Sequence, residues 1–153
     1  MTFGRRGHAL ILLAVAFTGC ATGNAGQRST SASRDTRANG ATLAQIYFWR
    51  AKPGKLEEYT RYIRERAEPI DADAQRSGAF VSVATYMAAD TTVPWTHMRV
   101  FTLRDSTQLR GLSEALAAAG VRLEPDSVKR RQQSEYSATL RDRVGAVVVE
   151  LVR

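Results

Sequence analysis

The chain has 153 residues, 44% of them apolar and 24% charged, with a single cysteine and a formal net charge of +7. That length gives room for one small domain rather than two, and a lone cysteine excludes an internal disulfide framework. The charge divides into +4 over residues 1–42 and +3 over residues 43–153. The larger part is therefore only mildly basic, and without a recognition motif its charge reads as a solvated Arg-rich surface, not a nucleic-acid footprint.

Residues 1–19 read as a secretion signal. Arg5 and Arg6 give a positive start, Ala9 to Phe17 an apolar run, and Thr18-Gly19 small residues at a cleavage point before Cys20. The run falls short of the roughly 20 apolar residues that span a bilayer. With its cysteine in that place, the segment resembles the lipobox of bacterial lipoproteins, although Phe17 stands where Leu is usual. The resemblance implies cleavage before Cys20, acylation of its thiol, and an exported protein anchored in membrane lipid. Ala21, in place of Asp, implies the periplasmic side of the outer membrane if the cell is Gram-negative. The Arg5-Arg6 pair also admits twin-arginine export, but Gly7-His8-Ala9-Leu10 fits that pattern poorly. Residues 20–42 contain no Leu, Ile, Val, Met or aromatic residue and read as the lipidated cysteine and a flexible tether with a reach of about 26 Å.

The domain is expected over residues 43–153. Leu43 to Ala51 reads as a strand with bulk on both faces: Ile46 and Phe48 on one, Tyr47 and Trp49 on the other. After a Lys52-Pro53-Gly54 turn, Leu56, Tyr59, Ile63, Ala67 and Ile70 mark one face of a helix that Pro69 should kink and Gly78 end. Strands follow at Ala79–Ala88 and Trp95–Leu103. Asp105 or Ser106 can cap a helix carrying Leu109, Leu112, Leu116 and Ala119, with Gly120 as its stop. Pro125 and Asp126 open a weaker helix through Val128, Tyr136, Leu140 and Val144, and Gly145 releases a last strand, Ala146 to Val152.

This order, β-α-β-β-α-β with an extra helix before the last strand, predicts an α+β, ferredoxin-like sheet with helices on one face. By alternation the second face is expected to carry Tyr47, Trp49, Ser82, Ala84, Tyr86, His97, Arg99, Phe101, Val148 and Glu150. So many aromatic residues on a bare sheet face predict an interaction surface, most simply for a second copy packed sheet to sheet. The aromatic first strand, the Lys52-Pro53-Gly54-Lys55-Leu56 turn, Pro69, Gly78 and the strand pair after it resemble the dimeric α/β-barrel superfamily. That group includes antibiotic-biosynthesis monooxygenase-like and NIPSNAP-type proteins. The resemblance covers about half the domain. It implies a homodimer whose cavities bind small, often aromatic or haem-like ligands.

The candidate pocket residues are Tyr47, Trp49, Tyr86, His97, Arg99, Phe101 and Glu150. His97 is the one histidine beyond the leader and the candidate general base; Arg99 and Glu150 are candidates for pairing across the cavity. One histidine and scattered acids supply no metal-ligand spacing, and no cofactor is expected. Haem-degrading relatives use an Asn-Trp-His set, and residues 43–153 hold no Asn. No nucleophile elbow surrounds Ser82, and no Gly-rich phosphate loop is present. Two readings follow: a membrane-tethered binding or envelope interaction module for a small apolar or aromatic ligand, or a cofactor-independent monooxygenase-like enzyme using His97, Tyr86 and Trp49.

Overall fold

The computed structural model describes residues 40–152; the leader, Cys20 and nearly all of the tether lie outside them. Strand β1 (Leu43–Ala51) leads through a turn to α1 (Leu56–Tyr62), a π-helical turn (Ile63–Ala67) and α2 (Glu68–Arg76). Strands β2 (Ser82–Met87) and β3 (His97–Leu103) follow, then α3 (Ser106–Leu123), α4 (Ser127–Leu140) and β4 (Arg141–Glu150). The strand order is β2-β3-β1-β4 and every neighbouring pair is antiparallel. This is the ferredoxin-like arrangement the sequence order predicts.

The local chemistry explains most of the boundaries. Pro69 cannot donate a backbone hydrogen bond, and its ring crowds the preceding turn. The helix widens just ahead of it: the Glu68 N–H bonds to the Ile63 carbonyl across a π turn, and Pro69 then sits in the first turn of α2. Gly78 leaves α2 with φ of 80°, a conformation that favours glycine after a helix. The Asp105 and Asp126 carboxylates each accept two backbone N–H groups at the starts of α3 and α4.

Two boundaries differ from the sequence expectation. Helix α3 runs through Gly120 to Leu123, because an internal glycine weakens a helix without having to end it. Helix α4 ends at Leu140, so Val144 is a strand residue, and β4 starts at Arg141, five residues before Ala146. The charged run Arg141-Asp142-Arg143 hides that start. Its ladder to β1 shifts between Phe48↔Gly145 and Trp49↔Arg143, leaving Val144 as the extra residue of a β-bulge.

The core lies between the sheet and the helices. Phe101, Leu103 and Phe80 pack with Leu112 and Ala119 of α3 and Ala74 of α2, flanked by Tyr47, Val83 and Ile70. A second cluster joins Ala51, Tyr59, Ile63 and Leu140, with Trp49 and Tyr62 against it. The helices therefore cover the face that carries Tyr47, Trp49, His97, Arg99 and Phe101. This reverses the predicted assignment for β1, β3 and β4, whereas Ser82, Ala84 and Tyr86 of β2 do lie on the uncovered face, opposite to the residues predicted beside them. Alternation separates the two faces within each strand, but periodicity does not say which face meets the helices when both are bulky, nor how one strand is phased against the next. The uncovered face instead carries Ile46 and Phe48 of β1, Met98 and Val100 of β3, Ala84 and Tyr86 of β2, and Val147 and Val149 of β4.

Candidate functional site

The covered face is unusually polar for an interior. His97 is fully buried, and both its ring nitrogens are engaged: Nε2 at 3.1 Å from the Thr60 hydroxyl and Nδ1 at 3.0 Å from that of Thr96. The Thr60 hydroxyl donates to the Leu56 carbonyl. Thr60 then accepts from Nε2–H, and Nδ1 faces the Thr96 hydroxyl, which also lies 3.3 Å from the Trp49 carbonyl. The edge of Tyr59 closes the site at a centroid distance of 4.7 Å. Burial pushes the His97 pKa below its ordinary value, so the ring is neutral. Both nitrogens of this fully buried ring face hydroxyls, and this geometry lends His97 no support as a general base.

Arg99 makes an ion pair with Asp71 of α2, both side chains largely buried, and its guanidinium lies 5.3 Å from the Phe101 ring centroid. The expected partner, Glu150, is elsewhere: it pairs in register with Leu43, whereas Arg99 pairs with Tyr47. Asp71 escaped notice in the sequence because it reads as one more polar residue of a helix. Its signal is its place one position after Ile70, near the apolar stripe. The Arg99 Nε has no hydrogen-bond partner. Tyr59, its pKa pushed up to about 12 chiefly by burial, lies between the His97 ring and Arg141.

The other sequence candidates separate. Phe101 is a core residue, edge-on to Phe80 and Tyr47. Tyr86 is half-exposed on the uncovered face, opposite Met98, and cannot share a pocket with His97 or Arg99. Trp49 does face a cleft. This opening of about 780 Å³ lies between α2, α3, α4 and the β1–β4 edge. Its lining includes apolar Ile70, Leu116 and Val121 as well as Arg141, Asp142 and Arg143 beside Trp49. The Arg141 guanidinium stacks 3.4 Å from the Trp49 ring centroid, and its Nε donates to the Ser137 hydroxyl at 3.0 Å. The sequence pattern hides both arginines, because the helical spacing runs on through the start of β4 to Val144. No cluster of His, Cys, Asp and Glu suited to a metal ion occurs among the described residues.

No protein-family model matches the chain, and no curated protein resembles it in sequence. Solved structures do resemble it in shape. HapK from Hahella chejuensis superposes with a TM-score of 0.50 at 10% identity, covering 72% of this chain and 92% of its own. A protein from Bacteroides fragilis, described as dimeric, ferredoxin-like and of unknown function, gives 0.49 at 12% identity over 72% of this chain and 96% of its own. A dimeric ferredoxin-like protein from Jannaschia gives 0.45 at 15% identity over 73% and 99%. At such identities the likeness is one of fold alone.

Proposed function

We propose that this protein is an exported, lipid-anchored module that works as a sheet-to-sheet homodimer and holds a small ligand in the cleft beside Trp49. The observation that carries the proposal is the uncovered sheet face. Four strands of about seven residues present roughly 400 Å² in projection. Its central positions are Ile46, Phe48, Val100, Met98 and Ala84, a patch of the size that marks an interaction surface. The hydroxyls of Ser82 and Thr102 on this face bond to each other at 2.6 Å. Burying them costs little. Charged side chains stand only at the ends, as with Arg50, whose Nε donates to the Pro94 carbonyl.

A flat, apolar, uncharged face is complementary to itself under a two-fold axis, which favours a second copy over a charged partner. The anchor rests on the lipobox-like sequence before Cys20. The enzyme alternative requires an open cavity at His97, and the buried, doubly bonded ring gives it no footing. The test is native mass spectrometry of the chain released from its leader. A dimer carrying excess mass supports the module. A bare monomer at micromolar concentration contradicts it. Retention of a Cys20→Ser variant at the membrane would contradict the anchor.

A further inference from the structure

We infer that the cleft beside Trp49 is a binding site for a small organic carboxylate with an apolar body, the anionic group meeting Arg141 and Arg143. The inference deepens the ligand-binding reading and rests on it. Neither arginine has a carboxylate within ion-pair distance among the described residues, whose ion pairs all involve other groups. Both are gathered on the same aromatic platform: Arg141 at 3.4 Å and Arg143 at 5.9 Å from the Trp49 ring centroid, with Arg143 also 5.3 Å from that of Tyr47. Two like charges held together beside a protein surface repel one another, and an anion between them relieves that repulsion.

Arg141 is fixed rather than mobile. Its ring stack and its bond to the buried Ser137 leave the terminal N–H groups as pre-oriented donors, the arrangement that suits bidentate carboxylate recognition. The third arginine of the cleft, Arg130, is already committed, donating to the carbonyls of Glu124 and Pro125 at 2.7 Å each. Asp142, between them in sequence, lines the same cleft but makes its ion pair with Lys52, at 3.9 Å, and not with either arginine. Ile70, Leu116 and Val121 supply apolar lining to the same cleft. A volume of about 780 Å³ lies in the range of small-molecule sites. Cationic and apolar groups lining one cleft select an amphipathic anion over an inorganic ion or a neutral apolar molecule.

The test is calorimetric titration of the full chain with phenylacetate and with its neutral counterpart, phenylacetamide. The expected result is phenylacetate binding at about 1 mM or tighter, at least about tenfold tighter than the amide, and weakening as salt rises. Arg143→Gln and Arg141→Gln should each weaken phenylacetate about tenfold or more and leave the amide unchanged. Arg143 is the more exposed of the two, so its variant tests the site even if loss of Arg141 disturbs the fold. Equal binding of acid and amide overturns the carboxylate inference while the ligand-binding reading stands. Absence of any phenylacetate binding, or full retention in the double variant, also overturns it. A monomer by mass would contradict the dimeric module without touching this site.

Discussion

The two faces of the sheet reverse the usual distribution of residues. The face beneath the helices holds a histidine, a buried Arg99–Asp71 ion pair and a stacked Arg141, whereas the face without a cover is almost wholly apolar. An interior that keeps charged groups must satisfy each one, and an exposed apolar sheet must find something to lie against. The covered face is therefore specified by particular hydrogen bonds, and the open face by shape and hydrophobicity. The two should fail differently when mutated.

The largest effect is expected on the open face. Val100→Asp puts a charge at the centre of the proposed sheet-to-sheet contact with nothing to pair it, and should convert the dimer to a monomer at all accessible concentrations. Light scattering reads the mass, and circular dichroism checks that the fold survives. On the covered face, Asp71→Ala leaves Arg99 buried and unpaired and should cost about 3–5 kcal/mol in chemical denaturation. Removing both charges with the pair Asp71→Leu and Arg99→Met should restore most of that loss. If Asp71→Ala costs under about 1 kcal/mol, the pair behaves as a solvated surface bridge and the contrast between the faces disappears.

A smaller effect is expected from pH. Burial holds the His97 pKa below 6.5, so the unfolded chain takes up that proton more readily than the folded one. The neutral ring's contribution is complete above about pH 6.5 and falls away as the pH drops below it. Tyr59 acts in the opposite sense. With its pKa raised from 10.0 to about 12, its contribution is complete below pH 10 and is lost as the pH climbs toward 12. Thermal unfolding across pH should show both limbs, and His97→Gln should flatten only the acid one. The smallest effect belongs to Tyr136→Phe. It removes a bond of 2.6 Å to Glu58 at the surface, and denaturation should register no more than about 1 kcal/mol.

The order of strands and helices, the β1 boundaries, the caps at Asp105 and Asp126 and the disturbance before Pro69 were all legible, because periodicity and capping chemistry are local. The orientation of the sheet was not. Phe48 and Trp49 are equally at home in a core, and only tertiary packing chooses between them. The same ambiguity placed His97 and Arg99 on an open face, a wrong phase of β2 against β3 put Tyr86 beside them, and the true partner of Arg99 lies 28 residues back on a helix. Arg141 and Arg143 were lost because a bulge interrupts the alternation at Val144 and a charged run resembles a helix end. Trp49 alone of the named pocket candidates lines the cleft.

The most direct test of the account is sedimentation equilibrium on residues 43–153, run beside Val100→Asp. The account predicts a dimer for the native chain and a folded monomer for the variant. A native chain that sediments as a folded monomer, with no change on substitution at Val100, would mean that the open face is not where two copies meet.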